Sequence, residues 1–438
     1  MFAWFANLRT LAGLTVTDAL RQRLWLLFVV ACAVLLFVLP NLSAVDEGAR
    51  FKLAVVAMTG AIGFVLVMLA ILVAAAGLRR DMDARIGFLL FSKPLRMSAY
   101  IAGRWAGVQI GLMLGLVVLG IMSSVILAWQ FNGLPTMRDV NRPVGWEQVG
   151  SFGQPIAIDE SKSRLQLTGA PGNGVRWRFT DLPKSSATSD GLEVLIRVGV
   201  RGYDMDEPAL DALAQVTVLG LGDKPSRILS LDAASPYGHS RGGTPTQVGQ
   251  VVLRDRDDSH DDLAQDYLRL RIPIDSISAD GSATIQITRL EARSSISLTR
   301  DTSVIIAVDG GGFTSNLMRA LLVMLASASL LTAFTLAIAA VANLGVATLG
   351  GLTLFFAGSA TVAMREVAET ERTAYAIRRL LQLALDVIPN FDRFTIAARL
   401  AAHESISWSV VGAAWMYYGI YVVFFLGLAW IAMRRQEI

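Results

Sequence analysis

Cysteine and histidine are almost absent from this sequence, which has one cysteine and three histidines in 438 residues. The lone Cys32 excludes an internal disulfide and any cysteine-based metal site. His239, His260 and His403 lie far apart and lack the spacing of zinc ligands, so we predict no metal site. The sequence also has no G-x-x-x-x-G-K-[ST] motif and no recognisable pair of nucleophile and base. It therefore predicts neither an ATP-binding loop nor a catalytic site.

Charged residues are also scarce. Asp, Glu, Lys and Arg make up 17% of the chain, whereas hydrophobic residues make up 53%. This balance is too apolar for an ordinary soluble protein and predicts a membrane protein with several spans. The formal net charge of +3 is too small to indicate nucleic acid as a partner. We therefore expect the lipid bilayer, and not nucleic acid, to surround much of the chain.

Six apolar runs are close to the length of a transmembrane helix, which needs about 20 residues. They occupy residues 24–42, 53–78, 105–129, 317–341, 346–363 and 410–433. These runs predict a membrane all-α bundle of six transmembrane helices, three within residues 21–130 and three within residues 314–438. Trp4, Phe5 and Leu8 have helical spacing ahead of the first run. We expect residues 1–20 to form an amphipathic helix in the membrane interface.

Long apolar runs are missing from residues 131–313. Short segments of alternating polarity take their place, separated by Gly, Pro, Asp and Ser. Alternation is strict at residues 175–179 and 268–272, and residues 192–200 keep one apolar face. About ten such segments are typical of an antiparallel β-sandwich, and a jelly roll is one form of it. Residues 131–313 are therefore predicted to be an inserted all-β sandwich domain.

A charged segment, residues 79–104, separates the second and third predicted spans. Residues 80–91 have the periodicity of an amphipathic helix. Its apolar face comprises Met82, Ile86, Leu89 and Leu90, and its charged face comprises Arg80, Asp81, Asp83 and Arg85. Pro94 cannot continue this helix, because it lacks a backbone N–H and clashes with the preceding turn. Such a helix fits either a lever pressed by a soluble partner or a loop that lies on lipid headgroups.

Basic residues mark one side of the predicted membrane. Two spans separate the amino end from residues 79–104, so both lie on the same side. Basic residues outnumber acidic ones there, and Arg434 and Arg435 follow the last span. The positive-inside rule makes this side cytoplasmic. We predict a multi-pass protein of the cell (inner) membrane with cytoplasmic termini, an extracytoplasmic β domain and an external helical segment at residues 364–408.

The charged segment resembles the coupling-helix segment of the permeases of type-2 ABC transporters. The likeness rests on Asp81 or Asp83, Leu89, Leu90, Ser92, Lys93, Pro94, Arg96, Tyr100, Gly103 and Arg104. The six predicted spans, the sequence V-I-P-N-F at residues 387–391 and the basic carboxyl end are also similar to that family. The β domain is a large insertion that departs from the minimal family pattern. The resemblance therefore implies no particular substrate.

What the resemblance implies is a permease subunit, and we expect an exporter. In that family a separate ABC ATPase subunit binds ATP and Mg, so this chain itself would hold no cofactor and would not be an enzyme. Two permease chains would pair as a homodimer or pseudo-dimer. The residues expected at the ATPase contact are Asp81, Asp83, Arg85, Leu89, Leu90, Ser92, Lys93, Pro94 and Arg96. Residues 80–91 would be the coupling helix, and Leu89 and Leu90 would hold this helix against the ATPase.

Two pairs of arginines mark a candidate ligand site in the β domain. Arg176 and Arg178 share one face of their predicted strand, as do Arg269 and Arg271. If these strands are neighbours, the sheet has a basic face that could bind an anionic glycan or a lipid headgroup. The other interpretation is an ordinary solvated outer face.

An alternative function follows from this domain. The chain could be a membrane-anchored extracytoplasmic binding or sensor module, with the β-sandwich as the receptor for a glycan, lipid or protein. An accessory extracytoplasmic protein is a further candidate partner. Co-purification of an ATPase would favour the permease, whereas tight glycan binding by the chain alone would favour the receptor.

Overall fold

The computed structural model describes residues 9–17, 26–44, 47–83, 97–156, 164–168, 171–182, 192–196, 199–202, 212–219, 230–232, 249–253, 268–272, 277–278, 280–290, 294–300, 303–361, 364–365, 379, 381–383, 385 and 388–435. The chain divides into two compact units. We call Met1–Pro135 together with Gly312–Ile438 the membrane unit, and Thr136–Gly311 the β unit.

The membrane unit is helical. Its main described helices are α1 (residues 9–17), α2 (Leu26–Asn41), α3 (Glu47–Asp83), α4 (Met97–Gln130), α5 (Phe313–Ala339), α6 (Leu344–Ser359), α7 (Ile396–Ala401) and α8 (Trp408–Arg434). Four of these, α3, α4, α5 and α8, contain stretches long and apolar enough to cross a membrane. Helices α2 and α6 are apolar but have only 16 residues each. This unit therefore has the composition of a multi-pass membrane protein.

Helix α5 lies at the centre of the membrane unit and packs against α3, α4, α6 and α8. Many of its buried positions are small, among them Ala320, Ala326 and Ala333. Small residues allow helix backbones to approach closely within a membrane. Glycines on the neighbouring helices act in the same way, because a Cβ at Gly120 of α4 would lie 2.6 Å from the Leu321 side chain of α5. The core of this unit is therefore built around α5.

Side chains near the helix ends form two clusters, one at each end of the bundle. The Leu78 cluster contains the end of α3, the start of α4, the end of α5, the start of α6 and the end of α8. The Phe51 cluster forms at the opposite ends, where the Phe51 ring centroid lies 5.2 Å from Phe131, 5.8 Å from Phe313 and 4.9 Å from His403. Helices α3, α4 and α5 therefore run between the two clusters, whereas α6 begins and α8 ends at the Leu78 cluster.

Helix α3 extends beyond the predicted second span at both ends. The apolar run predicted a span at residues 53–78 and a separate coupling helix at residues 80–91, but α3 is continuous from Glu47 to Asp83. No proline or other strong helix breaker lies between Leu78 and Asp83, so the charged residues form the last turn of the same helix. Residues 84–91 of the predicted coupling helix lie outside the described residues.

The segment before α8 is tied to the membrane unit. Most of the predicted external helical segment up to residue 387 lies outside the described residues, whereas residues 388–408 are described. The Phe391 ring packs so closely on α6 that a Cβ at Gly358 would lie 2.3 Å from Phe391 Cδ2. The Tyr418 hydroxyl of α8 donates to the carbonyl oxygen of Asn390 at 3.2 Å. These contacts join residues 388–391 to both α6 and α8.

The β unit consists of antiparallel strands. The described strands are β1 (Thr136–Asn141), β2 (Gly145–Val149), β3 (Pro155–Ile156), β4 (Arg164–Leu167), β5 (Gly174–Phe179), β6 (Leu192–Ile196), β7 (Gly199–Gly202), β8 (Ala212–Leu219), β9 (Ser230–Asp232), β10 (Gly249–Leu253), β11 (Leu268–Ile272), β12 (Ala283–Arg289), β13 (Ser294–Thr299) and β14 (Val304–Gly312). They form sheets ordered β1-β14-β6-β11-β9, β10-β8-β12-β5-β2-β3 and β4-β13-β7.

Alternation of polarity sets the inner and outer faces of these strands. In β5, Val175, Trp177 and Phe179 are fully buried, and Arg176 and Arg178 between them are not. Strand β12 alternates in the same way. The inward residues of several strands meet in one apolar core that includes Trp177 and Phe179. Side-chain alternation within each strand therefore accounts for the core of the β unit.

The strand pairing differs from the sequence pattern after β6. Residues 192–200 have one continuous apolar face, yet β6 belongs to the five-stranded sheet and β7 to the three-stranded sheet. The chain therefore changes sheets between Ile196 and Gly199, which local alternation cannot reveal. Three antiparallel sheets are what the described residues form. The sandwich and its jelly-roll order remain predictions.

Arg289 is fully buried at the inner face of β12, with 0% of its surface exposed. Its guanidinium Nη1 donates to the carbonyl oxygen of Leu167 in β4 at 3.0 Å. Strand β12 lies in the six-stranded sheet and β4 in the three-stranded sheet. Because a buried arginine is stable only where its N–H groups are bonded, this contact links the two sheets through the core.

Candidate functional site

A buried acidic group lies in the last turn of α3. Asp81 is 7% exposed, although it lies among charged residues at the end of the helix. Its Oδ2 accepts a hydrogen bond from the Tyr100 hydroxyl at 2.6 Å and forms an ion pair with Arg104. Tyr100 and Arg104 are four residues apart on α4 and therefore share one face of that helix. The end of α3 is thus joined to the start of α4.

The arginine of this pair also reaches α1. Arg104 is 7% exposed, and its Nη1 lies 3.4 Å from the Thr15 hydroxyl oxygen, to which it donates. A Cβ at Gly77, one turn before Asp81 on α3, would lie 3.6 Å from the same nitrogen. The guanidinium of Arg104 therefore lies beside Gly77 of α3 and reaches Thr15 of α1. We call Asp81, Tyr100, Arg104 and Thr15 the ion-pair network.

Close helix packing holds this network in place. A Cβ at Gly107 of α4 would lie 2.5 Å from Thr15 Cβ and 2.8 Å from the Ala12 carbonyl oxygen, so only glycine fits there. Apolar residues of the Leu78 cluster, including Leu11, Leu78 and Ile101, are packed around Tyr100. They keep water away from the ion pair and so strengthen its electrostatic attraction.

The ion-pair network lies where the segment 84–96 leaves α3 and enters α4. Helix α3 ends at Asp83 and α4 begins at Met97, so the segment 84–96 has its two ends fixed beside Asp81 and Tyr100. A force on that segment acts on two helices that are already bonded to each other. Arg104 adds α1 to the same group through Thr15. This arrangement can couple α1, α3 and α4 mechanically through a buried ion pair.

The residues predicted at the ATPase contact have different outcomes. Asp81 is bonded inside the bundle, so its carboxylate is not presented to a partner as the amphipathic pattern predicted. Asp83 is the last residue of α3. The remaining residues of that group, Arg85, Leu89, Leu90, Ser92, Lys93, Pro94 and Arg96, lie outside the described residues, and their contact with an ATPase remains a prediction. Sequence reasoning missed Thr15, which belongs to no chemical motif.

The four arginines of the predicted ligand site do not share one sheet. Arg176 and Arg178 lie in β5, whose neighbours are β2 and β12. Arg269 and Arg271 lie in β11 of the five-stranded sheet, at register positions opposite Asp232 and Glu193. The prediction of one basic face on neighbouring strands is therefore wrong, because β5 and β11 are not neighbours. Only the β5 pair remains a candidate ligand site.

Within the described part of the chain, no group of three or more His, Cys, Asp or Glu side chains is placed to hold a metal ion. His403 contributes its ring to the Phe51 cluster. His239 and His260, the other two histidines, lie outside the described residues.

Two glycines of α4 provide a test of how α1 is attached. Replacing Gly107 by valine should displace α1 from α4, because a Cβ there would overlap Thr15 and Ala12. Replacing Gly111 by valine is the matched control, since among the described residues no atom outside the local backbone of α4 lies within 4 Å of its Cβ position. We expect the Gly107 variant to expose the amide hydrogens of residues 9–17 to exchange at least tenfold faster, measured by mass spectrometry. Equal exchange in the two variants would contradict this packing.

In comparison with known proteins, no protein-family model, no curated protein and no solved structure matches the chain.

Proposed function

We propose that the chain is the membrane permease subunit of an ABC transporter, acting as an exporter driven by a separate ATPase subunit. In this proposal all six apolar helices cross the membrane, with α2 and α6 as the two short spans. The end of the bundle that carries the Leu78 cluster faces the cytoplasm, and both termini lie on that side. The β unit is an extracytoplasmic sandwich.

The ion-pair network is the observation that carries the proposal. A buried charge pair is expensive in an apolar bundle unless its geometry is good, so its presence beside the segment 84–96 needs a reason. Holding the two ends of a force-bearing segment is such a reason. The network also unites three residues of the family-like pattern, Asp81, Tyr100 and Arg104, that are up to 23 positions apart in the sequence.

The mechanism starts at the segment 84–96. ATP and Mg bind to the partner ATPase, whose closure presses this segment through Asp83 and Arg85, while Leu89 and Leu90 seat it. The ion-pair network makes α1, α3 and α4 move together. Because α5 packs against α3, α4, α6 and α8, a shift of α3 and α4 changes the position of the central helix as well. Two permease chains, as a homodimer or pseudo-dimer, enclose the path that this movement opens.

The experiment that tests this proposal reverses two charges at the predicted ATPase contact. The partner ATPase is first identified by co-purification in mild detergent, and its ATP hydrolysis is measured with and without the permease. We expect the double variant Asp83→Arg/Arg85→Asp to lower the stimulation of hydrolysis at least tenfold while expression stays normal. The reversed charges would meet like charges across the contact, which is repulsive.

The matched control reverses two exposed charges in the β unit, Asp139→Arg/Arg142→Asp. This variant has the same net charge as the test variant and should stimulate hydrolysis like the wild type. Unchanged stimulation in the Asp83/Arg85 variant would rule out the proposed contact. If no ATPase co-purifies and the chain alone binds a glycan tightly, the receptor alternative replaces the permease.

A further inference from the structure

The outer face of the six-stranded sheet contains a recess of about 130 Å³. The residues that line it are Gly145, Trp146, Glu147, Arg176 and Arg178. They come from β2 and β5, whose antiparallel register places Gly145 opposite Arg178 and Glu147 opposite Arg176. The recess is therefore built from two regular strands and belongs entirely to the β unit.

Arg176 is held in a fixed orientation by both neighbouring strands. Its Nη1 donates to Glu147 Oε1 at 3.2 Å, and its Nε and Nη2 donate to Gln286 Oε1 at 3.3 Å and 3.1 Å. Glu147 lies on β2 and Gln286 on β12, so the guanidinium spans three strands. The positive charge of Arg176 is matched by the negative charge of Glu147 beside it.

Arg178 differs from Arg176 because it is exposed and, within the residues that the structure describes, its side chain forms no hydrogen bond or ion pair. Its cross-strand neighbours are Gly145 on one side and Thr284 on the other, and neither carries a charge. Since Arg176 and Glu147 compensate each other, Arg178 gives the recess a net charge of +1. This charge favours an anion with a single negative charge.

Space for such an anion lies directly beside Arg178. Apart from Gly145 and its two chain neighbours, no heavy atom of the described residues lies within 4 Å of the position that a Cβ at Gly145 would occupy. Side chains of directly opposite residues in an antiparallel pair begin about 5 Å apart, so this open position is within reach of the guanidinium. Trp146 lies opposite the fully buried Trp177 in this register and packs partly against the core, so its indole is on the inner face of the sheet and its backbone forms part of the recess floor.

We propose that this recess binds a carboxylate-bearing sugar, such as a uronic acid residue of a glycan. The planar guanidinium of Arg178 donates two parallel hydrogen bonds to the carboxylate. Glu147 also lines the recess and can accept a hydrogen bond from a hydroxyl group, and the sugar ring occupies the space above Gly145. The proposal goes beyond the permease function, because it concerns the β unit alone and needs no ATPase.

The competing source of a single negative charge is the phosphate of a lipid headgroup. The full chain in nanodiscs of phosphatidylcholine, which has no net charge, is titrated by calorimetry with a trisaccharide of glucuronic acid. A trisaccharide of glucose is the neutral probe, and vesicles of phosphatidylglycerol are the lipid probe. We expect the acidic trisaccharide to bind at least tenfold more tightly than the neutral one, and the vesicles not to compete.

Two variants change the recess in different ways. Arg178→Gln removes the charge, and Gly145→Val fills the space while leaving every charge in place. We expect each to weaken binding of the acidic trisaccharide at least tenfold. The matched control is Arg138→Gln, which removes one positive charge from β1, where Arg138 pairs with Glu193 at 3.6 Å. That variant should bind within twofold of the wild type.

Several outcomes would overturn the proposal. The first is that the wild type does not bind the acidic trisaccharide, or binds the neutral one equally tightly. The second is that the Arg178→Gln variant binds the acidic trisaccharide with wild-type affinity. The third is that phosphatidylglycerol vesicles bind in an Arg178-dependent way while the acidic trisaccharide does not bind. Each readout is independent of ATP hydrolysis, so a failure here is distinguishable from a failure of the permease proposal.

Discussion

Replacing Asp81 by asparagine should destabilise the membrane unit by about 3–5 kcal/mol, which is typical for removal of one partner from a buried ion pair. The loss is large because Arg104, only 7% exposed, would keep its charge without a counter-charge. The Tyr100 hydroxyl could still donate to the new amide oxygen, so the charge is the only feature lost. Arg104→Gln should have a similar effect, because it leaves the Asp81 carboxylate buried.

The double variant Asp81→Asn/Arg104→Gln should be less destabilised than the sum of the two single variants. Removing both charges leaves no buried charge uncompensated, so the pair should show a coupling free energy above about 1 kcal/mol. Stability is measured as the free energy of unfolding in detergent, obtained by titration with a denaturant. Stimulation of the partner ATPase is measured on the same samples and should fall with the single variants.

The surface pair Arg138 and Glu193 is the matched control. Its side chains are 31% and 28% exposed and its N–O distance is 3.6 Å, so a double-mutant cycle there should give a coupling of about 0.5 kcal/mol or less. If the effects of the Asp81 and Arg104 variants add within about 0.5 kcal/mol, the pair is not energetically coupled. The network would then not transmit force between α3 and α4.

Replacing Arg289 by alanine should destabilise the β unit by about 3 kcal/mol or more. The change leaves the Leu167 carbonyl oxygen without its arginine donor and opens a cavity in a fully buried position. Because the guanidinium links two sheets, the three-stranded sheet should separate first. Limited proteolysis of the full chain at rising temperature, read by mass spectrometry, would locate the earliest cleavage.

Arg178 is the control for this substitution, because it lies on the neighbouring strand β5 and is exposed. Arg178→Ala should change stability by less than about 0.5 kcal/mol, as is usual for surface positions. Arg289→Met keeps much of the volume without the charge, so it should lie between the wild type and alanine. Equal cleavage temperatures for the Arg289→Ala and Arg178→Ala variants would show that the buried guanidinium does not hold the sheets together.

Hydropathy predicted the long helices well because a membrane-crossing helix depends on composition alone. The run at residues 410–433 corresponds closely to α8, Trp408–Arg434. Helix ends were less predictable. An apolar run stops at the first charged residue, but a helix continues until its backbone is interrupted, so α3 includes both Glu47 and Asp83.

Local sequence patterns could not predict that Asp81 forms a buried ion pair. Its position on the charged face of residues 80–91 indicates exposure, yet its partner Arg104 is 23 residues away across a segment whose path the sequence does not reveal. The same limit applies to the arginines of the β unit. Alternation correctly placed Arg176 and Arg178 on one face, whereas strand neighbours depend on pairings such as β5 with β12, more than 100 residues apart.

Helix α8 has little protein around it, since only 22% of its most apolar stretch is buried, against 67% for α5. Its outward side chains include Met416, Ile420 and Val423, each at least 66% exposed. Fluid lipid acyl chains can pack against apolar side chains of many shapes, whereas a close helix–helix contact requires side chains of a particular size and shape. Over evolutionary time the outward positions of α8 can therefore drift freely among aliphatic residues, while the alanines of α5 tolerate almost no enlargement.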